Sequence, residues 1–104
     1  MQKLRFISII ILGISLTYSQ RVIGYYPQWV QGSFTPDKID YSVITHVLHS
    51  FAWPDEQGNI LYYDNMLSQS ISNTVHDNGA KILLVFGGWG QSWGFASTVS
   101  SPEI

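Results

Sequence analysis

The chain has 104 residues, of which 45% are hydrophobic and 12% are charged, and its formal net charge is −2. This length is enough for one small domain, and the composition excludes a disordered chain. No basic patch or stripe occurs, which argues against nucleic acid as a partner. Because the chain has no cysteine, it has neither a disulfide framework nor a lipoprotein attachment site.

Residues 1–19 have the pattern of a signal peptide. A positive start, MQKLR, precedes the apolar run FISIIILGISL, which is too short to span a bilayer comfortably. The small residues Thr17 and Ser19 predict cleavage after Ser19. We therefore expect a secreted or periplasmic protein without a stable membrane anchor; an uncleaved anchor or a buried element is the alternative. Residues 20–104 keep three basic and seven acidic residues, a formal charge of −4.

The first half of this mature part predicts two strands. The segments 21–26 and 43–53 are rich in β-branched and aromatic residues, and a proline follows each of them. Between them, Thr35 and Pro36 predict the start of a short helix, with Thr35 as the N-cap and Pro36 at the first helical position.

The second half predicts a helix, a strand and the beginning of another helix. Asp64 can cap a helix with an apolar stripe at Leu67, Ile71 and Val75, and Asn78-Gly79 ends it. The strand at 81–87 is apolar on both faces, as a parallel strand covered on both sides requires. A further helix is expected after Ser92. Strands that alternate with helices predict an α/β fold with a parallel sheet.

Three motifs, VIGYYPQW, THVLHSFAW and KILLVFGGWG, resemble the first three strands of glycoside hydrolase family 18, the chitinases and their relatives. Many members have Ser-x-Gly-Gly on the third strand, where this chain has Val85 in place of the serine. The resemblance implies the first three β/α units of a (β/α)₈ TIM barrel. A full barrel needs about 250 residues, so we expect residues 20–104 to be the N-terminal part of a truncated catalytic barrel.

The resemblance also implies a substrate-binding site. Barrel enzymes bind ligands where the strands end, and Gly87 and Gly88 allow a sharp turn there. By resemblance, Trp89 packs its indole against the apolar face of a sugar ring, and Tyr25 and Phe51 form the floor of the cleft. The alternative is that these aromatic side chains belong to the core.

Side-chain alternation gives an expectation for each strand. It places Leu83 on the same side as Trp89, toward the barrel interior. On the second strand it groups Val47 and His49 with Phe51.

Other residues have less specific signals. Trp29, Trp53 and Trp93 follow strand ends and could line an outer cleft. His46 and His49 are expected to be buried, hydrogen-bonded histidines. The glycine-rich loop lacks G-x-G-x-x-G and a P-loop lysine, so neither a cofactor nor a metal is expected.

The chain's acidic residues determine whether it could catalyse hydrolysis by itself. By resemblance, the family's catalytic glutamate lies in D-x-x-D-x-D-x-E on the fourth strand, and none of the seven acidic residues here has that spacing. No catalytic residue is therefore assigned. The prediction is a glycosidase that acts in its full-length form on β-1,4-linked N-acetylglucosamine polymers such as chitin, by substrate-assisted retaining hydrolysis. A non-catalytic chitinase-like carbohydrate-binding protein and a free-standing α/β domain unrelated to sugars are the alternatives.

Overall fold

A computed structural model describes residues 20–100. A three-stranded parallel sheet forms its centre. Its strands are β1 (Ile23–Pro27), β2 (His46–Pro54) and β4 (Lys81–Phe86), in the order β1-β2-β4, and a short strand, β3 (Ile60–Leu61), pairs with the end of β2. Two 3₁₀ turns, Gln28–Val30 and Pro36–Lys38, lie between the first two strands. The remaining elements are the helices α1 (Gln69–Asp77) and α2 (Phe95–Ser100).

One face of the sheet is packed against α1 and the first crossover. The buried cluster on this helix side consists of Tyr26, Val47, Ile71, Val75 and Ala80. The apolar stripe predicted for the helix is therefore confirmed at its last two positions, because both side chains are buried against the sheet.

The strand register identifies the other face, which we call the open side. Tyr25 pairs with Leu48, and Leu48 pairs with Leu83. Paired residues of a parallel sheet point to the same side, so these three side chains share the open side. Leu83 is 47% exposed there, whereas its neighbour Leu84, on the helix side, is half-buried by the packed layer.

An irregularity in β2 corrects the predicted grouping of its side chains. Val47 and His49 pair with residues that face the helix side, so they do not share the open side with Tyr25. The register shifts between Ser50 and Ala52, which leaves Phe51 without a partner in β4. Such a bulge reverses the alternation, so Phe51 reaches the open side although Val47 and His49 do not.

The connections also differ from the sequence prediction. The segment after Thr35 forms only the 3₁₀ turn, so the first crossover contains no α-helix. Helix α1 begins later than predicted: Ser68, not Asp64, is its N-cap, and the Ser68 Oγ accepts a hydrogen bond from the Ile71 N–H. Leu67 consequently lies outside the helix and is exposed.

The loop after β2 contains a strand that the sequence did not predict. β3 pairs antiparallel with Trp53 and Pro54 and forms a hairpin around a turn. The carboxylate of Asp55 organises this turn by accepting bonds from the N–H groups of Gln57 and Asn59 and from the Asn59 side chain.

The predicted signal peptide, residues 1–19, lies outside the described residues. Within residues 20–100, neither helix has the length and apolar character needed to cross a bilayer.

Candidate functional site: an aromatic cleft at the strand ends

Four aromatic side chains meet where the parallel strands end. Trp29, Phe51, Tyr63 and Trp89 line a cavity of about 190 Å³, together with Gln91. Three of the four aromatics come from segments that follow β1, β3 and β4, and Phe51 comes from the end of β2. We call this cavity the aromatic cleft.

Phe51 is the centre of this arrangement. Its ring stacks on Trp29, with the centroids 6.3 Å apart and the planes at 29°. Tyr25 contacts it from β1 at 6.1 Å with the rings tilted by 44°. Of the predicted substrate-binding residues, the structure thus brings Phe51 and Trp89 into one cavity. Tyr25 supports the Phe51 ring without lining that cavity.

Two glycines give the backbone after β4 its path. Gly87 and Gly88 have φ angles of 97° and 94°, a region that other residues rarely adopt. A Cβ at Gly88 would lie 3.1 Å from the Phe51 ring. The absence of a side chain therefore lets the loop pass over Phe51, and Trp89 leaves it with a fully exposed indole. An exposed tryptophan at the mouth of an aromatic cavity offers a flat apolar surface to a ligand.

Polar contacts join the loops that carry the walls of the cleft. Gln31 Nε2 donates to the backbone carbonyl of Asn65 at 2.7 Å, and Gln28 Nε2 donates to Asn65 Oδ1 at 2.9 Å. On its other side, the Gln31 amide contacts Nε2 of His49. His49 is a buried, hydrogen-bonded histidine, as expected, and burial lowers its pKa.

A larger cavity, of about 330 Å³, opens elsewhere. It is lined by His49, Ile82 and Leu84 from the sheet and by Met66 and Ser68 from the segment just before α1. These strand residues face the helix side, so the cavity lies in the layer that covers the sheet. We assign the site to the smaller cavity because it lies at the strand ends and contains the exposed aromatic surface.

The carboxylate of Asp55 has a structural role in the turn between β2 and β3. The Asn59 side chain, followed by backbone N–H groups, holds the pKa of Asp55 below its usual range by hydrogen bonding. That carboxylate is fixed in its turn by these hydrogen bonds. Residues 20–100 also contain no cluster of three or more ligand-type side chains that could bind a metal ion.

The sequence profile of glycosyl hydrolases family 18 matches residues 21–103. The chain belongs to this family. The resemblance inferred from the three strand motifs is confirmed. The match covers nearly all of the part that follows the predicted signal peptide.

Two curated relatives are similar over the same region. A chitinase-like effector of Moniliophthora roreri is 31% identical over 82 residues, which are 77% of this chain and 20% of that protein. Probable chitinase 10 of Drosophila melanogaster is 30% identical over 103 aligned residues, covering 79% of this chain and 4% of that protein. The chain thus spans a fifth or less of the length of these relatives.

Solved structures of the family have the same fold in this segment. A chitinase from Bacteroides thetaiotaomicron aligns with a TM-score of 0.64 and 26% identity over 81% of this chain and 27% of its own. A mutant of catalytic domain 2 of the Ostrinia furnacalis Group II chitinase aligns with a TM-score of 0.65 and 26% identity, over 80% and 25% of the two chains. The latter was crystallised in complex with penta-N-acetylchitooctaose.

Two residues of the cleft, Trp29 and Tyr63, were not assigned from the sequence. Trp29 had a partial signal, since it follows the first strand directly. Tyr63 had none, because its position depends on the β3 hairpin and on Trp53, which packs against it with the centroids 5.4 Å apart. Trp93 is half-exposed and does not line the cleft.

Proposed function

We propose that this segment forms part of the substrate cleft of a secreted chitinase-like glycosidase that acts on β-1,4-linked N-acetylglucosamine polymers. The observation that carries the proposal is the aromatic cleft, in which Phe51 and Trp89 face a common cavity at the ends of the parallel strands. Pyranose rings have an apolar C–H face that packs well on indole and phenyl rings. The complex of the Ostrinia relative with a chitooligosaccharide supports this class of ligand.

In this proposal residues 20–104 are the first three β/α units of a (β/α)₈ barrel, and residues 1–19 are a signal peptide that directs export. Phe51 and Trp89 bind substrate, and Tyr25 supports the Phe51 ring from β1. Hydrolysis follows the substrate-assisted retaining route, and the proton for the leaving oxygen comes from a glutamate outside this segment. Both neighbouring solved chains are about four times as long as the aligned region, which supports a larger parent.

The experiment compares the 104-residue chain with the full-length parent on a chromogenic chitobioside. We expect the parent to hydrolyse it and the short chain to give no turnover above a boiled control. Loss of a general acid typically lowers the rate by a factor of about 10² to 10⁴. Turnover by the short chain would contradict the assignment of the acid to a segment outside it.

A second candidate function is carbohydrate binding without hydrolysis. One relative is described as a chitinase-like effector, a name that states no hydrolysis of its own. Both candidates use the same aromatic cleft. They differ in whether the parent has the family's catalytic glutamate, which by resemblance lies on the fourth barrel strand, outside this segment. A parent that binds chitin oligosaccharides but does not hydrolyse them would favour this candidate.

A further inference from the structure

We propose that His49 is a positioning residue that clamps together the two loops forming the walls of the aromatic cleft. The inference rests on the proposed function for its effect on sugar binding. The clamp itself consists of His49, Gln31 and Asn65, and it connects the loop of Trp29 to the loop of Tyr63. None of its members lines the cleft.

The hydrogen-bonding capacities of the groups fix the orientation of the clamp. The backbone carbonyl of Asn65 can only accept, so the Gln31 group that meets it must be the NH₂. The amide oxygen of Gln31 is thereby turned toward His49 Nε2. That nitrogen must carry the proton, since an amide oxygen cannot donate. Burial, which lowers the pKa of His49, keeps the ring neutral at ordinary pH.

The imidazole ring is itself held in place by the core. His49 is 3% exposed and stacks on Tyr26, with the centroids 5.5 Å apart and the planes at 29°. The Tyr26 hydroxyl in turn donates to the carbonyl of Phe34 at 2.7 Å. The clamp therefore connects the exposed loops to a rigid group in the packed side of the sheet.

The consequence for the cleft follows from chain connectivity. Trp29 lies in the 3₁₀ turn Gln28–Val30 directly before Gln31, and Tyr63 lies two residues before Asn65. Holding Gln31 to Asn65 therefore fixes the separation of the two walls. Without the clamp, the Trp29 loop keeps the stack on Phe51, the contact of Gln28 with Asn65 and the packing of Val30 on the core. It loses the link from Gln31 to Asn65 and His49.

The test uses the full-length protein with His49→Leu, which removes the donor, and His49→Gln, which keeps an N–H donor at a similar reach. Gln31→Leu breaks the same clamp from the loop, where folding is less at risk. His46→Leu is the matched control, because His46 lies on the same strand but bonds only its neighbour Thr45. Each variant is assayed for KM and kcat on a chitin oligosaccharide and for amide hydrogen exchange.

We expect His49→Leu and Gln31→Leu to raise KM about three- to tenfold with little change in kcat, the size of one lost hydrogen bond. His49→Gln and His46→Leu should stay close to the wild type. In a Trp29→Ala background, His49→Leu should add less than about twofold, because the clamp acts through Trp29. A full-sized additional loss in that background would show a general structural role and overturn the inference.

Amide hydrogen exchange tests the clamp independently of sugar binding. His49→Leu and Gln31→Leu should speed exchange roughly tenfold in peptides covering 28–34 and 62–66 while leaving α1 unchanged. Unchanged exchange in both loops would overturn the inference even if the protein binds chitin. A wild type that binds no chitin oligosaccharide, with the exchange pattern as expected, would instead contradict the proposed function and leave the clamp supported.

Discussion

Tyr25 and Tyr26 are adjacent in the sequence and lie on opposite sides of β1. Tyr26 is 3% exposed within the helix-side core, whereas Tyr25 is 64% exposed on the open side. The two sides of the sheet thus differ in how far their side chains are covered. The helix side carries the packed layer that stabilises the segment, and the open side presents apolar surface that this segment does not cover.

The difference shows where stability and binding are separated in the molecule. On the helix side, the side chains of Val47 and Val75 are fully buried. On the open side, the aromatic groups near the strand ends form the cleft, while Ile23 and Leu83, further from the ends, are apolar and exposed. We propose that the cleft residues contact sugar and that the other open-side residues pack against the rest of a barrel.

The largest expected effect comes from isolating residues 20–104. β1 and β4 each have an edge without a strand partner among residues 20–100, and unpaired edges promote association. We expect this segment alone to aggregate or to behave as a molten state in sedimentation and hydrogen-exchange experiments. A monodisperse monomer with protected amides in all three parallel strands would instead favour a free-standing domain.

Leu83→Ala in the full-length protein asks whether the open side becomes covered. If it packs inside a closed barrel, the free energy of unfolding should fall by about 2–5 kcal/mol, as for a buried leucine. Val99→Ala on α2 is the control, since Val99 is highly exposed, and it should change this free energy by less than about 0.5 kcal/mol. Equal small effects in denaturant titrations would show that the open side stays exposed.

Gly88→Ala should disturb the cleft and the stability together. The φ angle of 94° is strained for alanine, and the new Cβ would press on Phe51. We expect a loss of about 1–3 kcal/mol in unfolding free energy and weaker binding of a chitin oligosaccharide. Gly32→Ala is the matched control, because nothing lies within 4 Å of its Cβ position; a similar loss there would refute the explanation.

A smaller effect is expected from pH. Because burial lowers the pKa of His49 from its usual 6.5, the unfolded chain binds a proton at a higher pH than the folded chain does. Stability should therefore decrease as the pH falls below about 6.5. His49→Gln should make this part of the stability profile shallower. An unchanged slope between pH 6.5 and 5 in thermal unfolding would contradict the assignment.

The sequence was sufficient for the three parallel strands and the helix before β4, because β-branched runs, glycine stops and the Ile71–Val75 spacing are local signals. It was not sufficient for the side on which Phe51 lies, since the bulge at Ser50–Ala52 depends on pairing with β4. The hairpin that places Tyr63 was also missed, because β3 has only two residues. Trp89 was predicted by resemblance to contact sugar, but its position beside Trp29 in one cavity depends on how distant loops pack.

The most direct test of the aromatic cleft as a sugar site is a calorimetric titration of the full-length protein with a chitin oligosaccharide, comparing Trp89→Ala with Trp93→Ala. Trp89 lines the cleft and Trp93 does not. We expect Trp89→Ala to weaken binding by about tenfold or more, the scale of a lost aromatic contact, and Trp93→Ala to have little effect. Equal losses in the two variants, or a loss from Trp89→Ala that circular dichroism attributes to unfolding, would contradict the account.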